Sequence, residues 1–395
     1  MKNTTSNIKK LYLFNILIGL QFGIAALSTT FQLLFSKVGG EGLLTKLNQV
    51  EKYSIIMCLL LIGIDIAHIG VKKYIALFEG LKNATFLILI IFLFINKLNP
   101  IVLTIAFVVN VVTVRLLHVY WMDFNMRTSK KEDFKSVISN IMFYRNFATL
   151  AGMGIAYFVI KLVYPYNFIT IFAITAALGA VLIGAVLSVS ETGFKKEGKR
   201  HIKYNEIFKL QMEKNCLFMC VGKIILNLSY GVPVLFAMLA IRKGYTDQQI
   251  VLLGIITFIA AALFAKIIPK TNLTSKQNML IGHFLVGLSG YVAFITSNFY
   301  IAALVYGLSS AFINIGYYGF QNGFDAERKH VYMTTQTSIN FTTGFGVFIC
   351  AKLINVYGFY AAVTFSVVAA IMSISFILFL DDTEKQEERE LAIEH

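Results

Sequence analysis

Apolar residues come in runs of roughly 20 along the whole chain, each long enough to cross about 30 Å of hydrocarbon as a helix, with short polar segments between them. A helix satisfies its own backbone polar groups inside lipid, so the pattern predicts helices at about 11–35, 53–73, 74–97, 100–124, 136–162, 166–189, 215–240, 247–268, 277–297, 299–322, 333–355 and 358–380. The third run is the weakest of the twelve. Its clean core, ATFLILIIFLFI, is too short to span and must borrow YIALFEGLKN, including Glu79 and Lys82, which lie at i and i+3 and could pair locally.

Composition turns this pattern into a class. Of 395 residues, 57% are hydrophobic and only 14% charged, and mean hydropathy is +0.70. These values define an integral membrane protein with no room left for a soluble domain. The net charge of +14 would suggest nucleic acid as a partner of a soluble protein. Here it collects in short segments instead: Lys9 and Lys10; Lys72 and Lys73; Arg127, Lys130, Lys131 and Lys135; Lys195, Lys196, Lys199, Arg200 and Lys203; Lys270 and Lys276; Arg328 and Lys329. All fall on the side that holds both termini, which predicts a multi-pass protein of the cytoplasmic membrane with both ends inside. The basic start MKNTTSNIKK leads into an apolar stretch too long for a signal peptide, so the first run is read as the first span. Cys58, Cys216, Cys220 and Cys350 all fall in apolar runs and read as small hydrophobes, with no His or carboxylate pattern for a metal. The acidic end DDTEKQEERELAIEH reads as a solvated tail.

The longest polar stretch, SETGFKKEGKRHIKYNEIFK, lies at the midpoint and divides the chain. The expected organisation is an N-terminal six-helix bundle over 1–190, a cytoplasmic linker over 191–214, a C-terminal six-helix bundle over 215–380 and a tail over 381–395. A short internal similarity supports the division. NFATLAGMGIAYFVI from Asn146 resembles NFTTGFGVFICAKLI from Asn340, and both are followed by a Tyr- and Phe-bearing turn, VYPYNF and NVYGFY. An offset near half the chain is what a duplicated six-helix unit requires.

Twelve helices in two parallel halves with a basic central loop resemble the major facilitator superfamily over essentially the whole chain. The family signature between the second and third spans is matched by Gly63, Gly70, Lys72 and Lys73, with Ala67 in place of its Asp and His68 in place of its Arg. Its fourth-span motif R-x-x-Q-G is similar to Arg115-Leu-Leu-His118-Val, which keeps only the arginine. The antiporter pattern of the fifth span is missing, since LAGMGIAYF has Gly152 and Gly154 but no proline. The resemblance implies an all-α membrane protein with two six-helix bundles related by a pseudo-two-fold axis, and alternating access to a central site.

A charge at membrane depth costs about 2.5–3.5 kcal/mol, so each one requires a partner, a wet cavity or a function. The embedded groups are Asp65 in the second span, Arg115 and His118 in the fourth, Arg145 in the fifth and Lys223 in the seventh. Three fixed positive charges against one negative suggest a cavity for an anionic or zwitterionic solute. Arg115 with Asp65 would serve equally as a structural ion pair. Arg145 begins RNF and has no obvious acidic partner; its planar fork of donors matches a carboxylate or phosphate, unless it snorkels to the cytoplasmic loop. Lys223 is too deep to snorkel easily, and Asn227 and Tyr230 follow it at helical spacing. INIGYYGFQNGF adds Asn314, Tyr317 and Gln321 on one face of the tenth span. Gln21, Gln32, Gln336 and Asn340 are further lining residues or interhelical hydrogen-bond glue. His118 and Asp65, with Glu79 and His68, are read as the embedded groups able to titrate near neutral pH, and the first two would carry proton coupling or gating.

These residues point to a secondary active transporter of a small polar, anionic or zwitterionic organic solute, acting as a monomer in the lipid bilayer without a cofactor or metal. Two alternatives stay open: an exporter of amphipathic drugs or lipids, consistent with 35 Phe and 19 Tyr, and a non-transporting receptor or assembly factor on a transporter fold. No phosphate loop, nucleophile elbow or metal cluster supports an enzyme.

Overall fold

The computed structural model describes residues 2–25, 27–38, 71–128, 134–189, 209, 212–322, 339 and 342–381. Among them every long element is an α-helix: α1 Lys2–Ala25, α2 Leu27–Val38, α3 Val71–Phe94, α4 Pro100–Thr128, α5 Phe134–Val159, α6 Tyr166–Ser188, α7 Lys214–Ser229, α8 Gly231–Val234, α9 Phe236–Arg242, α10 Asp247–Ile267, α11 Ser275–Thr296, α12 Phe299–Asn322, α13 Thr342–Tyr357 and α14 Phe359–Leu378. Seven spans among them are long and apolar enough to cross a bilayer, including α3, which does use the YIALFEGLKN segment. The predicted second span lies outside the described residues except at 71–73, which open α3.

Local chemistry sets the helix ends. Asn99 Oδ1 accepts from the backbone N–H groups of Ile101 and Val102, capping α4, whose first residue is Pro100. Thr274 and Gln277 form a capping box at the start of α11. Between α13 and α14, Gly358 adopts φ +85°, a conformation that a side chain would strain.

The predicted run at 215–240 is not one helix but three, α7, α8 and α9. Pro233 has no N–H to donate to the carbonyl of Ser229, one turn earlier, and so opens the ladder there. That carbonyl instead accepts a short hydrogen bond from Ser366 Oγ of α14. Inside lipid an orphaned carbonyl would cost several kcal/mol, so this cross-helix donor is what makes the break tolerable.

The chain packs as two compact units, one of Met1–Arg200 with Ala237–Ile259 and the other of His201–Phe236 with Ala260–His395. In the first, α1 packs on α5 and α6, and α3 on α4 and α6. In the second, α7 packs on α13 and α14, and α11 on α12 and α14. The same contacts recur in the same register. In the first unit Gly19 lies against the carbonyl of Arg145; in the second Asn227 Nδ2 donates to the carbonyl of Ile339 at 2.9 Å. The carbonyl of Leu20 faces Gly152, and that of Leu228 faces Gly346. Gln21 Nε2 donates to the Thr175 carbonyl at 3.2 Å, and Ser366 Oγ to that of Ser229. Asn83 packs on Gly179, and Gly287 on Ala370. Each pair advances from one unit to the other without a slip. Gly152 and Gly346 are also the matched glycines of the NFATLAG and NFTTGFG segments, so that sequence similarity marks a duplicated packing unit.

A Cβ on Gly152 would lie 2.5 Å from the Leu20 carbonyl oxygen, and one on Gly346 would be still closer to that of Leu228. In both cases the obstacle is backbone, which cannot rotate away. Gly152→Val and Gly346→Val should each destabilise the protein by about 1–3 kcal/mol or more, measured as denaturant unfolding in mixed micelles. Gly154→Val and Gly184→Val, at positions open to at least 4 Å, should leave the unfolding curve close to wild type.

Candidate functional site

In the second unit, Lys223 of α7 points its ammonium at aromatic faces. Nζ lies 4.6 Å from the ring centroid of Tyr317 on α12 and 6.0 Å from that of Tyr230, at the Pro233 break. Tyr230 in turn meets Tyr306 edge-on at 5.9 Å, and Phe236 continues the aromatic wall toward Phe299. Beneath Tyr317 lies His283 of α11, fully buried, with Nε2 3.1 Å from the phenol oxygen and Nδ1 2.9 Å from Ser373 Oγ of α14. Four helices thus converge on one cation. Among the described residues no carboxylate neutralises it. A desolvated cation–π contact contributes about 2 kcal/mol, against about 2.5–3.5 kcal/mol for a lysine at membrane depth. The rings therefore offset most of the cost of embedding the ammonium and leave its charge uncancelled.

The first unit has its own buried polar centre, with the opposite electrostatic character. Lys82 Nζ sits 2.7 Å from Glu79 Oε2 and donates to Gln21 Oε1 at 2.6 Å, while Gln21 Nε2 reaches the Thr175 carbonyl. The Trp121 ring lies 5.8 Å from Nζ. Both charges are buried and they cancel, as the i, i+3 spacing predicted. Glu79 Oε1 and Trp121 Nε1 are buried without a hydrogen-bond partner.

The structure therefore brings Lys223, Tyr230 and Tyr317 together. Asn227 is adjacent on α7, but its amide is committed to the Ile339 carbonyl, the interhelical-glue role. Asn314 is half-buried and bonds along its own helix to Ser310 Oγ at 3.4 Å. Arg145 belongs to the first unit, half-buried on α5. Asp65 and Asn340 fall outside the described residues, as do Gln336 and His68 and the side chains of Arg115, His118, Gln321 and Gln32.

His283 is the residue the sequence did not single out. It is a further embedded histidine, in the ninth span, in addition to the expected His118 and His68. A lone histidine in LIGHFLVGLSG resembles a satisfied core residue, and its partners Tyr317 and Ser373 are distant in sequence. The one available signal was its location within a long apolar helix, where any histidine requires partners.

No protein-family model and no curated protein matches this sequence. Solved structures do match it. A mutant of the nucleoside transporter NupG aligns with a TM-score of 0.70 at 14% identity, covering 94% of this chain and 99% of that one. The D-xylose-proton symporter gives 0.71 at 14% identity, over 95% and 98%. The E. coli fucose:proton symporter FucP gives 0.68 at 10% identity, over 96% and 99%. The chain has the fold of these transporters, the major facilitator fold.

The buried pair of the first unit gives a direct expectation. Glu79→Gln and Lys82→Met each strand a buried partner and should cost about 3–5 kcal/mol. The double variant should lose clearly less than the sum of the two. Unfolding midpoints of the four proteins in micelles would measure the coupling, and strict additivity would contradict the pairing.

Proposed function

We propose that the protein is a secondary active transporter of a small polar organic solute bearing an anionic group, either an anion or a zwitterion. It works by alternating access in the cytoplasmic membrane, as a monomer with both termini inside. The observation that carries this reading is the Lys223 ammonium, held over the Tyr317 and Tyr230 rings with no described carboxylate beside it. An ammonium seated on ring faces keeps its N–H donors available for an incoming carboxylate or phosphate. Arg145 supplies a second cation of fork geometry. The duplicated packing register supports an N-terminal bundle over 1–190 and a C-terminal bundle over 215–380, joined by the linker at 191–214. The lysine and arginine bias of the loops supports the orientation.

Two of the similar structures are proton symporters of sugars and one is a nucleoside transporter. Their likeness supports solute transport, and the symporters support proton coupling. The uncancelled lysine argues for a charged solute in place of a sugar. Within this reading Asn314, Tyr317 and Gln321 line the solute path, and Asp65 and His118 serve coupling or gating.

Purified protein in liposomes, screened by counterflow against organic acids, amino-acid derivatives and phosphorylated metabolites, should exchange a solute with a carboxylate or phosphate. For that solute, Lys223→Ala and Arg145→Ala should each raise the half-saturating concentration about 10–100-fold, the loss of one hydrogen bond to a charged group. Unchanged transport in either variant, at wild-type protein abundance, would remove that residue from the site.

A further inference from the structure

The hydrogen bonds around His283 favour one tautomer. Ser373 has one hydroxyl proton, and the Ala370 carbonyl, 2.7 Å from Oγ, is placed to take it. Toward His283 Nδ1, 2.9 Å away, Ser373 Oγ can then only accept. The proton of the neutral imidazole is therefore on Nδ1, and Nε2 carries the lone pair. The Tyr317 hydroxyl, 3.1 Å from Nε2, must be the donor. The chain runs in one direction, from Tyr317 through His283 to Ser373 and the α14 backbone. Its free end is the Tyr317 ring, the face on which Lys223 rests.

The repeat supplies a second, independent observation. Asn83 with Gly179 and Gly287 with Ala370 occupy equivalent positions in the two units. One turn before them stand Glu79 and His283, so these two are equivalent as well. In the first unit the residue at this position seats a lysine directly, through the 2.7 Å contact of Glu79 with Lys82. In the second it reaches its lysine through an intervening tyrosine.

We propose that His283 is the positioning residue of the Lys223 site: held as the Nδ1–H tautomer, it takes the Tyr317 hydroxyl as donor and fixes the phenol ring beneath the ammonium. A hydroxyl that donates also enriches its ring in electron density, which strengthens the hold on the cation. Glutamine can replace this function, since its amide offers both an acceptor oxygen and N–H donors. Phenylalanine offers neither. The proposal rests on the reading of Lys223 as the anion contact only where solute binding is concerned; the tautomer and the seating of Lys223 stand apart from it.

The test uses the full-length protein in micelles, labelled with [15N]histidine and [13C]lysine, with resonances assigned by their loss in His283→Gln and Lys223→Ala. Wild type should show a pyrrole-type Nδ1 and a hydrogen-bonded pyridine-type Nε2 for His283. The Lys223 ε-methylene should be shifted upfield by the Tyr317 ring current. His283→Phe should lose most of that shift and His283→Gln should keep it. Tyr317→Phe, a milder change that retains the ring, should move Nε2 to the position of a free pyridine-type nitrogen. With sodium acetate as the probe, titration of the Lys223 signal should show apparent affinity falling about 10-fold in His283→Phe and about 3-fold or less in His283→Gln, the scale of one hydrogen bond. A proton on Nε2, or a Lys223 shift unchanged in His283→Phe, would overturn the proposal. If acetate does not perturb Lys223 in wild type, the anion reading fails, and the tautomer and ring-current results still decide the role of His283.

Discussion

Backbone against backbone is the constraint on which the rest depends. Where the Leu20 carbonyl meets Gly152, and the Leu228 carbonyl meets Gly346, helices approach as closely as peptide groups allow. In lipid no hydrophobic force drives helices together, so such close van der Waals packing at small residues supplies much of the association. It also sets register, because a slip of one residue would put a side chain into a carbonyl. Fixing α1 on α5 and α7 on α13 decides which faces of α1 and α7 turn toward α6 and α14. On those faces stand Gln21 in one unit and Ser229 in the other, each engaged in a cross-helix bond to the equivalent helix.

The same scaffold has been given two electrostatic outcomes. In the first unit a lysine and a carboxylate on one helix cancel, and Gln21 completes the lysine from α1. In the second, the equivalent position on the ninth span is a histidine, and the cation has moved to the broken seventh span. The break itself belongs to the site. Pro233 ends the regular ladder just beyond Tyr230, and Ser366 takes up the freed carbonyl. One pattern leaves its lysine paired with a carboxylate, while the other leaves a lysine with no carboxylate beside it among the described residues.

Most of the fold was legible because the bilayer imposes a length on every span. The run boundaries predicted for α4, α6, α11, α12 and α14 fall close to those found, and even α3, with its embedded Glu79 and Lys82, follows the apolar count once those two are paired. The break at Pro233 was missed because apolarity continues through it. A period or a run length does not register a lost N–H. Within the site, Lys223, Tyr230 and Tyr317 were visible as polar groups in apolar helices, and the first two also by spacing. His283 was not, because its meaning comes from Tyr317 and Ser373, which only tertiary packing brings to it. Asn227 shows the converse: helical spacing placed it beside Lys223, and packing assigned its amide to a carbonyl on the neighbouring segment.

That a lysine should rest on tyrosine rings, and not on a carboxylate, is itself informative about what the site can do. A carboxylate at 2.7 Å, as Glu79 provides for Lys82, takes a lysine donor and cancels the charge, so an incoming anion would first have to displace it. A ring face holds the ammonium through its quadrupole, contributing about 2 kcal/mol when desolvated, and takes up none of its charge. The cation is thus kept at depth by an interaction too weak to compete with an anion and too directional to let the side chain wander. Tyr317 can serve this purpose only while its ring stays under the ammonium, and the hydrogen bond to His283, buried and linked through Ser373 to α14, anchors its hydroxyl end. In the proposed site, position is therefore set by the hydrogen-bonded chain at the hydroxyl end of the ring, and the ammonium on its face has no carboxylate beside it among the described residues.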